Sequence, residues 1–265
     1  MADRPFGEDF FGTETGGPAW PDGFGRRVLR SVDSTLSEAA RAAPGLAGPE
    51  WILALEQTAA RGRRGRAWAM PPGNFAATLV MPLAHPPEQA ALRSFVAALA
   101  LHDACVAATG RADAFALKWP NDVLLRGGKV AGILLETVNA SGTATHLAIG
   151  IGVNLAAAPD VAEVEQGALT PVALKQTLGI DIAPEDFLNL LAAAYARYDQ
   201  QFTTYGFAPI RTAWLARAAK LGAVITARTT RDTHVGTFAD VDEHGQLVLE
   251  TAKGRITIPA GDVYF

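Results

Sequence analysis

The stretch from residue 115 to residue 155 reads FALKWPNDVLLRGGKVAGILLETVNASGTATHLAIGIGVNL and consists of apolar runs separated by short turns. These runs predict four strands, at 115–119, 123–125, 129–138 and 146–155. Turn-forming residues stand between them: Pro120-Asn121-Asp122, Gly127-Gly128 and Asn139-Ala140-Ser141-Gly142. Because connections this short join strands that run in opposite directions, the stretch predicts an antiparallel sheet.

Upstream of this stretch, further strands are predicted at 27–32, 51–57 and 75–81. Asp33-Ser34-Thr35 offers N-cap side chains for an alanine-rich helix. A longer helix is predicted at 88–109, where Gly110 marks its end and one apolar face contains Leu92, Phe95, Val96, Leu99 and Val106.

Downstream, helices are predicted at 172–177 and 184–205. From about residue 221 to residue 265 the pattern changes to short alternating strands separated by glycines, which is typical of a small β-barrel. Strand-rich segments with helices set apart from them favour an α+β fold. We expect a mixed, mostly antiparallel central sheet with helices packed on it, followed by a small C-terminal SH3-like β-barrel module.

The bulk composition is that of a folded, mildly acidic protein. The 265 residues are 49% hydrophobic and 19% charged, with a net charge of −4. This balance argues against non-specific binding to nucleic acid or a membrane surface. A single cysteine, Cys105, excludes an internal disulfide and suits a reducing compartment, and its place on the apolar helical pattern predicts a core position. The N-terminus lacks the pattern of a secretory signal, so we expect a cytoplasmic protein.

Four guanidinium groups lie within six residues, Arg61-Gly62-Arg63-Arg64-Gly65-Arg66. The glycines let the backbone fold back on itself, and arginine offers paired N–H donors to phosphate or carboxylate. Because the chain is acidic overall, this positive charge is concentrated. The loop on its own is compatible with a small-molecule phosphate ligand, with a nucleic-acid contact or with a solvated basic loop.

Other polar residues stand at the ends of predicted strands. Gln57 ends one strand before the arginine loop, the turn 118–122 reads Lys-Trp-Pro-Asn-Asp, Lys129 begins a strand and Asn154 ends one. Each has an ordinary explanation, because a lysine before an apolar strand is usually a solvated end and Asn-Asp after proline is a turn former. Their order along the chain is what carries information.

Several common signatures are missing. The sequence has no Walker-type phosphate loop, no nucleophile elbow and no His-Glu-x-x-His motif. The segment Gly150-Ile151-Gly152 is not followed by a predicted helix, so we interpret it as close backbone packing within a strand and not as a Rossmann turn. The five histidines show no metal-ligand spacing, which argues against a transition metal held by the protein.

Taken in order, the motifs resemble those of the biotin protein ligases (biotin--acetyl-CoA-carboxylase ligases). The family's arginine-loop motif matches residues 57–68, and its KWPND motif matches 118–122. Its lysine-led stretch matches KVAGILLE at 129–136, and its G-I-G-x-N matches 150–154. Ser34-Thr35 matches a Ser-Thr pair of the biotin pocket. The resemblance extends from about residue 27 to residue 265.

This resemblance implies an ATP-dependent, AMP-forming ligase. Such an enzyme uses ATP and Mg²⁺ to convert biotin to biotinyl-5′-AMP, and then transfers biotin to a lysine of a biotin carboxyl carrier protein or carboxylase domain. The implied organisation is a flexible N-terminal segment at 1–26, a biotin/ATP-binding catalytic domain at 27–218 and the small C-terminal domain at 219–265.

The resemblance also assigns site residues. The implied biotin site consists of Ser34, Thr35, Gln57, Arg61, Gly62, Arg63 and Lys129. The implied ATP site consists of Arg63, Arg66, Trp68, Asn121, Asp122 and Asn154. Lys129, Arg61 and Asp122 are the implied catalytic residues. Asp122 would orient Mg²⁺ through its waters or steady the acceptor lysine, and no direct protein ligand to a metal is assigned.

Two positions depart from the family pattern. Ala60 stands where the family usually has glycine before the first loop arginine, and Leu36 stands where it usually has asparagine after the Ser-Thr pair. Ala60 would restrict the conformations of the loop, and Leu36 removes one polar contact. Neither change touches the charged residues.

Two alternative functions are weighed against this one. Lipoate ligases and octanoyl transferases share the broad fold and related acyl chemistry, but they lack the arginine-glycine loop in this form. An RNA-binding protein could combine a basic loop with a β-barrel, but the acidic composition and the absence of an aromatic stacking motif argue against it. Only about 26 residues precede the matched region, too few for the DNA-binding domain that some family members carry. We therefore expect a monofunctional ligase, monomeric or weakly dimeric, that binds neither nucleic acid nor membranes.

Overall fold

A computed structural model describes residues 17–83, 86–140, 143–160 and 169–265. The main sheet has seven strands in the order β1-β2-β3-β7-β6-β5-β4. Their bounds are β1 Gly25–Leu29, β2 Glu50–Ala54, β3 Phe75–Pro82, β4 Phe115–Lys118, β5 Asp122–Leu125, β6 Gly128–Ala140 and β7 Thr143–Val153. Most of the segment predicted to be a flexible N-terminus, and two residues of the turn predicted at 139–142, lie outside the described residues.

The four strands predicted from the 115–155 stretch form an antiparallel meander. β4 pairs with β5, β5 with β6 and β6 with β7, all antiparallel. Within β6 and β7, Gly132 pairs with Gly152 and Leu134 pairs with Gly150. The prediction of a mixed, mostly antiparallel sheet is confirmed. The parallel element is β1 with β2, which α1 connects as a crossover.

Helices cover both faces of the sheet. Their bounds are α1 Thr35–Ala42, α2 Pro87–Ala91, α3 Arg93–Thr109, α4 Leu174–Leu178, α5 Pro184–Tyr205 and α6 Phe207–Leu215. The sheet has a hydrophobic core on each face, and alternate residues of β2 point to opposite cores. Trp51 and Leu53 belong to the larger core under α3 and α5. Ile52 belongs to the smaller core and packs with Leu36 and Ala39 of α1.

Two local predictions need correction, and one helix has no counterpart among the predictions. The helix predicted at 88–109 is two helices, because Leu92 lies between α2 and α3. α6 was not predicted. Ser34 occupies the N-cap of α1, but its side chain makes no capping hydrogen bond, and its hydroxyl instead lies 3.4 Å from Arg61 Nη1.

α3 is the central helix of the larger core. Cys105, predicted to be in the core, is fully buried on it. The stretch Gln89–Thr109 is long and apolar enough to cross a membrane by length and composition, but 72% of its most apolar window is buried inside the fold. Its apolar character is therefore used in packing against the sheet and α5.

The C-terminal segment forms a second sheet, of five strands in the order β11-β10-β9-β8-β12. The strands are β8 Val224–Arg228, β9 Thr233–Val241, β10 Leu247–Thr251, β11 Gly254–Ile258 and β12 Asp262–Tyr264. All pairs are antiparallel. The predicted barrel is not closed, because β11 and β12 lie at opposite edges of the sheet and β12, only three residues long, pairs with β8.

This second sheet contacts the main domain beside the β4–β5 turn. The indole N–H of Trp119 donates to the Gly245 carbonyl at 3.0 Å. Ala219 N–H donates to the Leu117 carbonyl at 2.7 Å, just before the second sheet begins. These contacts bring β12 to the edge of the cavity described next.

Candidate functional site

A cavity of about 580 Å³ opens where the arginine loop, the β4–β5 turn, strands β6 and β7 and the C-terminal strand β12 meet. This volume is in the range of small-molecule and cofactor sites. Every site residue assigned from the sequence lines it: Ser34, Thr35, Gln57, Arg61, Gly62, Arg63, Arg66, Trp68, Asn121, Asp122, Lys129 and Asn154. The structure thus brings together residues that are up to 120 positions apart in the chain.

Glycines make the floor of the cavity. A Cβ atom at Gly152 would lie 2.7 Å from the Trp68 ring, and one at Gly150 would lie 2.9 Å from Leu36. Gly132, which pairs with Gly152 across the two strands, would place a Cβ 3.3 Å from the same ring. Side chains at these positions would fill the space that the indole and the leucine occupy. The interpretation of 150–152 as close backbone packing is therefore confirmed.

A buried polar group closes one end of the cavity. The Gln57 Oε1 atom accepts from the Thr35 N–H at 2.8 Å and from the Thr35 hydroxyl at 3.1 Å. The Thr78 hydroxyl in turn donates to the Thr35 hydroxyl at 2.9 Å. Beside this group, Leu36 gives the same end an apolar wall. Such a mixture of fixed polar atoms and apolar surface suits a small ligand that has both polar and apolar groups.

Arg61 is held by a carboxylate and two hydroxyls. Its Nε and Nη2 atoms donate to both oxygens of Glu136, at 3.1 and 2.7 Å, and Nη1 donates to Ser37 Oγ at 2.8 Å. The hydrogen bond to Glu136 raises the pKa of Arg61. The paired contact fixes the plane of the guanidinium at the cavity wall.

The arginine loop (Arg61–Arg66) is a tight turn. Its ends are joined by hydrogen bonds from Gly62 N–H to the Arg66 carbonyl (2.7 Å) and from Trp68 N–H to the Ala60 carbonyl (3.0 Å). Arg64 and Gly65 both have positive φ, of 58° and 71°. This left-handed turn directs Arg63 and Arg64 to Asp262 on β12, at 3.2 and 2.7 Å.

Two lysines share one carboxylate at the other end of the cavity. Lys129 Nζ lies 2.7 Å from Asp122 Oδ1, and Lys118 Nζ lies 3.7 Å from Asp122 Oδ2. Burial lowers the pKa of Lys118, an effect that Asp122 opposes. Lys129 also lies over the Trp68 ring, 5.6 Å from its centroid. Asp122 therefore holds Lys129 at the cavity while leaving it one-third exposed.

The two asparagines of the predicted ATP site have structural partners. Asn121 donates from its amide to the Ile133 carbonyl. Asn154 donates to the Val172 carbonyl at 3.1 Å and accepts from Asn74 at 3.5 Å. Both amides thus organise the backbone around the cavity.

The charge of the lining is positive although the chain is acidic. Five cationic side chains face two carboxylates: Arg61, Arg63, Arg66, Lys118 and Lys129 against Asp122 and Asp262. A cavity with this excess of positive charge attracts anionic ligands.

Among the described residues, the side chains around the cavity do not form a metal centre of the histidine or cysteine type. Within residues 17–83, 86–140, 143–160 and 169–265, no group of three or more His, Cys, Asp or Glu side chains could hold a metal ion. Asp122 is already shared between two ammonium groups, which makes it a poor direct ligand for Mg²⁺.

Four residues that line or support the cavity were not assigned to the site from the sequence: Leu36, Lys118, Glu136 and Asp262. Glu136 could have been found, because it shares a strand face with Gly132 at a spacing of four. Lys118 stands in the quoted turn motif. Asp262 has no local signal, since only the tertiary fold brings β12 to the arginine loop.

The two sheets match two known protein-family models. Residues 28–154 match the biotin/lipoate A/B protein ligase family, and residues 220–265 match the biotin protein ligase C-terminal domain. A biotin--[acetyl-CoA-carboxylase] ligase from Paracoccus denitrificans is 55% identical over 239 residues, which cover 90% of this chain and 99% of that protein. A bifunctional ligase/repressor BirA from Bacillus subtilis is 30% identical, over 89% of this chain and 71% of that protein.

The fold is also similar to a solved structure. The biotin protein ligase from Aquifex aeolicus in complex with biotin and ATP has a TM-score of 0.74 with this chain, at 23% identity, covering 90% of this chain and 97% of the other. At that identity the likeness concerns the fold. The match includes both sheets, since it covers nine-tenths of the chain.

Proposed function

The chain belongs to the biotin protein ligases of the biotin/lipoate A/B protein ligase family, and we propose that it activates biotin with ATP and transfers it to a lysine of a biotin carboxyl carrier protein or domain. The 55% identity to the Paracoccus denitrificans ligase over nearly its whole length supports this activity. The observation that carries the proposal is the cavity itself, where every site residue assigned from the family pattern meets under a positive charge excess.

In the first step a carboxylate oxygen of biotin attacks the α-phosphorus of ATP. The bond between the α-phosphorus and its bridging oxygen breaks, and pyrophosphate leaves. Two anions must approach each other, which costs about 4 kcal/mol at 4 Å in a surface-like dielectric. We assign Lys129 and Arg63 to offset this repulsion, since both line the cavity and Asp122 and Asp262 hold them there.

Lys129 is the group best placed to favour the transition state. It stands at the start of a rigid strand, its N–H donates to the Thr170 carbonyl at 2.9 Å, and its carbonyl accepts from Val172 at 3.0 Å. A cation fixed in this way needs little reorganisation as negative charge develops on the phosphoryl oxygens.

In the second step the acceptor lysine amine attacks the acyl carbon of the mixed anhydride. The acyl C–O bond breaks, AMP leaves and the amine loses a proton. The arginine loop lines the cavity, and its closure between the two steps would exclude water and protect the intermediate from hydrolysis. We place Ser34, Thr35, Gln57, Arg61 and Gly62 on the biotin side, and Arg66, Trp68, Asn121, Asp122 and Asn154 on the nucleotide side.

The test is direct detection of the intermediate. The purified protein is incubated with biotin and MgATP, and biotinyl-5′-AMP is sought by mass spectrometry, with pyrophosphate release measured in parallel. We expect release only when biotin is present, followed by labelling of one lysine of an added carrier domain. Biotin-independent release would refute the proposal.

The same assay separates the alternatives. Lipoate and octanoate replace biotin in matched reactions, and equal turnover with either would favour a lipoate or octanoate enzyme of the related fold. An RNA-binding protein would instead gain thermal stability from an oligonucleotide and not from biotin with ATP.

Further properties are proposed from the sequence and the cavity. Mg²⁺ would enter as MgATP, because Asp122 is occupied by two lysines. The buried single cysteine fits a cytoplasmic protein. We propose a monomer or weak homodimer that binds neither nucleic acid nor membranes, and measurement of its solution mass with and without biotin and ATP would test the oligomeric state.

A further inference from the structure

One carboxylate of the C-terminal sheet, that of Asp262, pairs with three arginines of the loop. Asp262 Oδ1 lies 3.2 Å from Arg63 Nη1, and Asp262 Oδ2 lies 2.7 Å from Arg64 Nη1 and 3.8 Å from Arg66 Nη2. The Arg63 Nη2 atom also donates to the Gly261 carbonyl at 3.2 Å. The start of β12 therefore contacts the arginine loop through the Asp262 side chain and the Gly261 carbonyl. These residues lie about 200 positions from the loop in the sequence.

Without this carboxylate, the closed conformation of the arginine loop would be destabilised. Burial lowers the pKa of Arg63, and its neighbours Arg64 and Arg66 lower it further, whereas Asp262 opposes both effects. Arg64 also adopts φ of 58°, a conformation that a residue with a side chain rarely holds without supporting contacts. Asp262 supplies the counter-charge that allows three guanidinium groups to lie side by side.

We propose that Asp262 is a positioning residue that holds the arginine loop closed against the C-terminal sheet and so retains the reaction intermediate in the cavity. The part of this proposal that concerns the intermediate rests on the function proposed above. The part that concerns the loop rests only on the contacts of Asp262 with Arg63, Arg64 and Arg66. Asp262 acts on the reaction through Arg63, which lines the cavity, whereas Arg64 does not line it and serves the closure alone.

The first test measures the loop in the ligand-free protein. Amide hydrogen exchange is followed in a peptide spanning residues 59–69, which contains the hydrogen-bonded amides of Gly62, Arg66 and Trp68. Asp262→Asn keeps the size of the side chain and the backbone pairing of β12, so we expect faster exchange by about 3- to 10-fold, with core amides of β2 unchanged. Asp113→Asn, which alters an exposed aspartate that pairs with Arg111, is the matched control and should exchange as wild type does.

Arg64→Gln provides a second, independent variant. If both residues act through one contact, Arg64→Gln and Asp262→Asn should each speed exchange and the double variant should be no faster than the faster single variant.

The second test measures escape of pre-formed biotinyl-5′-AMP from the enzyme, and we expect Asp262→Asn to release it about 3- to 10-fold faster. Wild-type loop exchange in Asp262→Asn with protected core amides would overturn the proposal, as would unchanged escape from an opened loop. Failure of the wild-type protein to form the intermediate would refute the proposed function and leave the exchange result readable.

Discussion

Lys129 Nζ lies 2.7 Å from Asp122 Oδ1, so that a turn former and a strand end, each unremarkable in sequence, form one ion pair inside the cavity. The pairing follows from the hairpin, because β5 begins at Asp122 and β6 returns past it through Gly127-Gly128. Lys118 approaches the other oxygen of the same carboxylate at 3.7 Å. A cation held in this way is available to an anion while its own position stays fixed.

Lys129→Ala should slow formation of the adenylate far more than it weakens ATP binding. If the ammonium meets phosphoryl and carboxylate oxygens most strongly in the transition state, its loss resembles removal of a single oxyanion donor, which costs on the order of 10²–10³ in rate. Single-turnover adenylation measured at saturating ATP checks this expectation.

Lys129→Arg is the companion variant and should restore only part of the rate, because a planar guanidinium does not reproduce a compact point charge. Adenylation by Lys129→Ala at a near wild-type rate would mean that Lys129 is a solvated strand end and would remove it from the mechanism.

Glu136→Gln should weaken biotin binding without abolishing it. Glu136 fixes the Arg61 guanidinium through two hydrogen bonds, at 3.1 and 2.7 Å, and the side chains of this pair are about one-third exposed. Because partly exposed ion pairs contribute up to about 1 kcal/mol, we expect the biotin Kd to rise by about fivefold. Isothermal titration calorimetry measures it, with Asp181→Asn, at an exposed pair with Lys175, as the control. An unchanged Kd would show that Arg61 keeps its orientation without Glu136.

Much of this architecture was predictable because it depends on short-range patterns. The strands between 115 and 155 are joined by turns whose residue types specify them, and the four strands pair as those turns require. α5 begins at Pro184 and ends at Tyr205 as predicted, because a proline and a glycine delimit an amphipathic stretch.

What the sequence did not predict depends on long-range contacts. No local pattern links Asp262 to Arg63, since the two approach only when the second sheet docks beside the β4–β5 turn. Whether the C-terminal strands close into a barrel also depends on tertiary geometry. The sheet stays open, with the short strand β12 at one edge. A shared site for the motif residues was predictable because their order along the chain matched the pattern of a known family. Composition and periodicity alone would not have predicted it.

Gly150→Ala should weaken biotin binding by displacing Leu36. The new methyl group would lie 2.9 Å from the Leu36 side chain, closer than real Cβ contacts allow, so the leucine must shift. Leu36 is buried and lines the cavity, and we expect the shift to raise the biotin Kd at least tenfold.

Leu36→Ala combined with Gly150→Ala supplies the control, because removal of the leucine side chain leaves room for the new methyl group. The double variant should bind biotin more tightly than Gly150→Ala alone, a non-additivity expected of residues in contact. Additive losses in calorimetry would show that the two residues act separately and that the close approach at Gly150 has another purpose.

The buried thiol of Cys105 should report on the integrity of the core in each of these variants. Burial raises the pKa of Cys105 from its ordinary value of 9.0 to about 12, so the folded protein holds the thiol neutral. The unfolded chain loses this proton from about pH 9 upward while the folded chain keeps it. The group therefore contributes stability that is present below pH 9 and declines as the pH rises toward 12. Urea unfolding at pH 7 and pH 10 should show a larger loss of stability in the wild type than in Cys105→Ala.

At pH 8 we expect iodoacetamide to label the native thiol at least 10³-fold more slowly than the denatured one, because the thiolate is the reactive form. Rapid labelling of the native wild type would contradict the burial of Cys105, and rapid labelling of one variant alone would identify that variant as unfolded.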